Sequence, residues 1–280
     1  MPKFDTPEPI TANIEPGVGY VTIVAGDRLD TVVEIRPTDP TSETDTDIAE
    51  RTTVDLAGTT LTIRAPKLSP FSLSNKARSI DVTVELPAGS HIHGKSAMGD
   101  LTATGRLGDL SYKTGLGDIQ VDEVATLSVS SGTGNVLGNR IRGKATISTS
   151  GRLHVGELAG GGELKNSNGA TVVGAARGPV KVRSANGDIT VEQAAADVEA
   201  KTAKGGVRVL DAVRGSLTLE TAMGEIEVGV REGSAAWLDV KTKFGRVRND
   251  LTASGAPAEQ IDKVEIHADT AFGDVTVRRA

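Results

Sequence analysis

From about residue 90 onward, apolar residues alternate with polar ones in short bursts, and each burst begins two positions after a glycine. In Gly187-Asp188-Ile189-Thr190-Val191-Glu192, Ile189 and Val191 share one face while Thr190 and Glu192 share the other. A second run precedes it, with Val180, Val182 and Ser184 pointing one way and Lys181 and Arg183 the other. A period of two over so few residues predicts half-buried strands. No stretch of the repeat keeps three-and-four spacing for ten residues, so a helical reading of it fails.

The glycine-plus-two pattern recurs at Gly99/Leu101, Gly117/Ile119, Gly134/Val136, Gly151/Leu153, Gly187/Ile189, Gly205/Val207, Gly224/Ile226, Gly245/Val247 and Gly273/Val275, with Gly169/Thr171 as a degenerate copy. Successive glycines stand 18, 17, 17, 18, 18, 18, 19, 21 and 28 residues apart, and the stretch 249–260 fills the longest gap. A further glycine often follows nine residues later, so the unit reads turn, strand, turn, strand. A unit of that size cannot bury its own apolar face and must stack on its neighbours. The expected fold is all-β: a parallel β-solenoid, or β-helix, of about ten 17–19-residue coils. Strand spacing would make it a rod of roughly 50 Å.

Three residues before each turn glycine stands a small polar residue: Ser96, Thr114, Ser131, Ser148, Asn166, Ser184, Thr202, Thr221, Thr242 and Thr270. Stacked at one level, these form an inward ladder that satisfies backbone groups at the bend. This column is architecture.

The first ninety residues are also β-rich but less regular, with strands expected at 20–24, 31–35, 60–63 and 80–86 and a solvated loop between Arg36 and Glu50. The boundaries drawn are a β-rich N-terminal cap, 1–88, and the solenoid repeat domain, 89–280. A cap protects the first coil from edge pairing, and Arg278 and Arg279 are expected to discourage it at the other end.

Composition narrows the chemistry. With no cysteine, disulfides, thiol catalysis and Cys-ligated metals are excluded. The net charge of −6 and only seven aromatic side chains speak against nucleic acid as a partner. Gly, at 33 of 280, reflects the repeated turns. The opening Met1-Pro2-Lys3-Phe4-Asp5-Thr6-Pro7 has no apolar core and no run is long enough for a transmembrane segment, so the expected location is cytoplasmic.

The segment 79–90, Ser-Ile-Asp-Val-Thr-Val-Glu-Leu-Pro-Ala-Gly-Ser, leads into reiterated Ser/Thr-x-x-Gly-Asp-Leu/Ile-x-Val. It resembles the bacterial β-strand-repeat family of adhesin-like proteins of unknown function, and the segments 4–10 and 237–247 resemble its actinobacterial members. The resemblance spans nearly the whole chain and rests on turn and core positions. It implies a non-catalytic scaffold or interaction protein in envelope-stress or regulatory assemblies. The alternatives are a self-polymerising scaffold resembling bactofilins and a carbohydrate-active β-helix enzyme.

Asp100, Asp118, Asp188, Glu225 and Asp274 follow turn glycines, as turn chemistry alone predicts. Calcium β-rolls place Asp two after Gly, and here several copies carry Arg152, Ala170, Gly206 or Arg246 after it, so no metal and no cofactor are expected. His91 and His93 share one side of a strand without a third ligand, and Trp237 reads as a plug near the C-terminal coils. The column four before the turn glycine carries Lys95, Lys113, Lys165, Arg183, Lys201 and Lys241, all facing outward, with Glu163, Glu199 and Asp239 two residues before three of them. These six are the candidate site for a protein or anionic polymer partner, read against a mixed-charge solvated face. A monomer or small oligomer is expected.

Overall fold

The computed structural model describes residues 1–66, 78–251 and 262–280, and the chain divides into two compact units, Met1–Leu137 and Gly138–Ala280. The fold is the expected all-β parallel solenoid.

In the second unit one wall is built from Leu153–Leu158, Thr171–Ala176, Ile189–Ala194, Val207–Ala212 and Ile226–Val230, side by side and parallel. Gly162–Asn168, Val180–Asn186, Val198–Lys204 and Gly215–Met223 build another in the same way. Ile189 sits between Thr171 and Val207 in register, and Val191 between Val173 and Val209, with every one of these side chains removed from solvent. Each such aliphatic side chain contributes about 1.5–3 kcal/mol relative to an exposed one. The turn requires glycine. Gly187 has φ 139°, and a Cβ there would lie 2.1 Å from the Gly169 carbonyl oxygen of the neighbouring coil.

The polar ladder forms, and its partner is specific. Thr114, Ser131, Asn166, Thr202, Thr221 and Thr270 each donate to the turn-glycine carbonyl of an adjacent coil, with Ser131 Oγ 2.8 Å from Gly117 O and Thr221 Oγ1 2.9 Å from Gly205 O. One rung differs from expectation. Thr149, not Ser148, stacks on Asn166 and is buried, while Ser148 pairs with Lys165 and is exposed. The approach to Gly151 is one residue shorter, which shifts the strand's faces by one. The degenerate unit satisfies its own polar residue: across the turn at Gly169, buried Thr171 receives a bond from Asn166 Nδ2 at 3.2 Å.

Coil order departs from chain order in both units. In the first, strands Thr11–Val18 and Val21–Gly26 lie between Thr60–Arg64 and Ile80–Pro87 on one side and His91–Met98 and Leu101–Leu116 on the other. Antiparallel strands Thr53–Ala57 and Asp30–Pro37 then cover Thr60–Arg64 and Ile80–Pro87. In the second, Lys263–Phe272 and Val275–Arg279 are inserted between coil 215–230 and coil 235–249. Arg278 and Arg279 therefore do not guard the end of the stack. Arg278 pairs with Glu227 at 2.8 Å, and the Arg279 guanidinium donates to the carbonyls of Arg231 and Ser234.

The stretch 36–50, expected as a loop, turns helical at Glu43, where the helix Glu43–Arg51 begins. Ser42 caps it by accepting the Asp45 N–H at 3.3 Å, and Asp45 in turn accepts from the backbone N–H of Asp39 and Ser79. Its Ile48 is buried. The polar composition concealed a Ser-x-x-Asp helix start with one apolar anchor.

Candidate functional site

Four of the five carboxylates after the turn glycines act as staples between coils. Asp100 Oδ1 accepts the Asp118 N–H at 2.8 Å, Asp118 accepts that of Asn135, Asp188 that of Gly206 and Asp274 that of Arg246. Their charge is spent on backbone donors. Among the described residues no group of three or more His, Asp or Glu side chains is arranged to hold a metal. His91 Nδ1 accepts the Asp109 N–H at 3.0 Å. Trp237 does not plug a coil: it is 56% exposed and tilts over His267 with ring centroids 5.3 Å apart.

The six outward cations separate by environment. In the second unit Lys165, Arg183 and Lys201 are consecutive in register. Carboxylates answer all three: Lys165 reaches Glu163 at 3.1 Å, Arg183 reaches Glu199 at 3.9 Å and Lys201 reaches Glu220 at 2.8 Å. The hydrogen bond from Lys165 lowers the Glu163 pKa, and the one to Glu220 raises that of Lys201. Glu199 is lowered chiefly by its bond from Lys181. Lys241 does not continue the row, because Glu220 and Asp269 stand between it and Lys201, and its own partner is Asp239 at 3.0 Å. This part of the surface is a mixed-charge face.

The first unit differs. Lys95 and Lys113 are directly opposed in register on neighbouring strands. Lys95 reaches Glu15 at 3.3 Å, whereas Lys113 has no carboxylate partner among the described residues. Both line a groove of about 760 Å³ whose walls include Val18, Ile48, Ala65, Pro66 and Ala97. Arg78 adds a third cation. The groove is predominantly apolar with its positive charges on side chains long enough to lie along it. Ser96 also lines it, and its buried hydroxyl, near that of the buried Tyr112, makes no well-formed hydrogen bond among the described residues.

Sequence reasoning placed Lys95 and Lys113 in one column but missed the groove. Its apolar walls come from the helix, the Ala65-Pro66 exit and the Pro16-Gly17-Val18 corner, which belong to no common period. The buried Ile48 on an otherwise polar helix was the available signal.

Stacked self-similar β-coils, with motif residues confined to turns and core, define a solenoid repeat protein. The chain belongs to the Toastrack DUF4097 family, whose model matches residues 20–278. No curated protein matches it. Solved structures similar to it include a "putative adhesin" from Bacteroides fragilis, at 14% identity over 100% of this chain and 95% of that one with a TM-score of 0.34. A "putative lipid binding protein" from Parabacteroides distasonis is 9% identical over 100% and 95% of the two chains, with a TM-score of 0.36. A "putative cell adhesion protein" from Clostridium sporogenes is 11% identical over 100% and 98%, with a TM-score of 0.22. No helix among the described residues is long and apolar enough to cross a membrane.

Proposed function

We propose that this protein is a non-catalytic interaction scaffold, and that the groove beside Lys95 and Lys113 takes an amphiphile with one apolar chain and an anionic head. The observation that carries the reading is Lys113, without a carboxylate partner among the described residues, at the edge of an apolar groove of about 760 Å³. An apolar chain would displace water from Val18, Ala65 and Ala97, and its head would meet Lys113 and Arg78. A polyanion without apolar character would use the cations and leave the walls wet.

Isothermal titration calorimetry of the full chain with dodecanoate and with dodecyltrimethylammonium, below their micelle concentrations, separates charge from chain. Dodecanoate should bind and the cation of equal chain length should not. Lys113→Gln should weaken dodecanoate about fivefold, the worth of roughly 1 kcal/mol for a part-exposed ion pair. The triple change Lys165→Gln, Arg183→Gln and Lys201→Gln should leave it unaltered. Equal binding of both amphiphiles, or of neither, rejects the reading.

A further inference from the structure

The outermost coil of the second unit, 235–249, pairs with Lys263–Phe272 and Val275–Arg279 on its inner side, and no described strand pairs with its outer side. The consequence is visible in burial. Leu238 and Val240 stand in register with the fully buried Ile266 and Ala268, yet both remain half-exposed. Trp237 is 56% and Phe244 66% exposed on the same strand. A ten-residue strand with an apolar inward face and an outer edge that no described strand pairs with is a template for another strand.

The direction of its backbone groups follows from one bond. The Ala235 N–H donates to Asp262 O, so Ala235 faces the inner neighbour, and residues alternate from there without a register shift through Thr242. Ala236, Leu238, Val240 and Thr242 therefore direct their N–H and C=O groups to the outer edge.

The side chains name the occupant. Written antiparallel to itself about Val240, the strand Ala235–Phe244 sets Asp239 opposite Lys241, Lys241 opposite Asp239, and Trp237 opposite Lys243. Inward, Leu238 meets Thr242 and Val240 meets its own copy. Every outward position across from a charge carries the opposite charge or an aromatic face, and cross-strand pairs of both kinds are favourable. No like charges are opposed in this register.

We propose that the protein forms a two-fold homodimer in which strand Ala235–Phe244 pairs antiparallel with the same strand of a second copy, centred on Val240. The three outward-facing pairs 238/242, 240/240 and 242/238 would exchange about six N–H···O bonds, and Leu238 and Val240 would become covered. A two-fold contact uses the same surface on both copies and closes, so it yields dimers and not fibres.

Sedimentation velocity of the full chain at micromolar concentration tests this, with thermal melting by circular dichroism reporting the fold of each variant. The wild type should sediment as a dimer. Asp239→Lys alone opposes Lys to Lys241, and Lys241→Asp alone opposes Asp to Asp239, each twice by symmetry, so each should weaken self-association at least about tenfold. Combining them restores opposite charges and should restore the dimer. Val240→Pro removes an outer-edge N–H that the inner neighbour does not use, and should give a folded monomer. A monomeric wild type, or species that lengthen with concentration, overturns the proposal. So does a doubly substituted chain that stays monomeric with an unchanged melt.

Discussion

Gly94 lies directly opposite Tyr112, and a Cβ built on Gly94 would come within 2.7 Å of both Cδ2 and Cε2 of the tyrosine ring. The fully buried ring occupies the space that side chains of two coils would otherwise share. Burial raises the Tyr112 phenol above its ordinary pKa against the smaller, opposing effect of the nearby Ser96 hydroxyl, and the phenol makes no well-formed hydrogen bond among the described residues.

Two substitutions at this pair should therefore act in opposite directions. Gly94→Ala should destabilise by about 1–3 kcal/mol through overpacking, and Tyr112→Phe should be neutral or stabilise by up to about 1 kcal/mol because it removes an unsatisfied group. In a Tyr112→Val background the part of the Gly94→Ala cost that the ring imposes should vanish, and the part set by the Ile14 carbonyl oxygen, 2.8 Å from the same Cβ, should remain. Urea melts of the four chains close the double-mutant cycle, and additive effects would show that the two positions do not share space.

The ladder supplies an internal control. Ser131 Oγ donates to Gly117 O at 2.8 Å, whereas Ser184 Oγ, in the same column, is buried without a partner among the described residues. Ser131→Ala should cost about 1 kcal/mol, and Ser184→Ala should cost nothing or stabilise slightly. Equal losses from both changes, read from chemical denaturation, would assign the column's value to shape and not to hydrogen bonding.

Acid should release one identified contact. The hydrogen bond from Arg28 chiefly, and then that from Lys3, lowers the Asp30 carboxyl from its ordinary 3.8 to about 2. A carboxyl depressed in the folded chain binds fewer protons there than when unfolded, so its stabilisation is complete above the unfolded value and is lost as pH falls through about 4 towards about 2. Asp30→Asn should flatten that part of the stability profile while leaving its shape at neutral pH alone. A variant whose acid limb overlays the wild type's between those pH values would remove Asp30 from the account.

The repeat was legible because local physics repeats. Alternation in Gly187–Glu192 dictates two faces, the glycine dictates the turn, and Ile189 and Val191 have no way to be buried except against another coil. The hydroxyl column could be written down from the sequence because a bend leaves carbonyls that need donors. Thr149 escaped the count for a local reason: one residue fewer before Gly151 exchanges the faces of Ser148 and Thr149, and two small polar residues in a row carry no mark of which turns inward.

Stacking order was decided elsewhere. Coils built on one motif are interchangeable neighbours, so the sequence specifies that coil 263–279 needs apolar partners but not whether coil 215–230 or coil 235–249 lies beside it on a given side. Only the folded chain places it between them, which buries Val264, Ile266, Val275 and Val277 on both edges and leaves Trp237, Leu238 and Val240 at the rim. The same holds for charge. A column of cations is a sequence fact, but Lys201 differs from Lys113 because Glu220 stands in register beside the first, whereas Lys95 and Ser130 stand in register beside the second. Period and alternation act between residues close in the chain, whereas the order of equivalent coils and the pairing of their outer side chains depend on which distant segments meet.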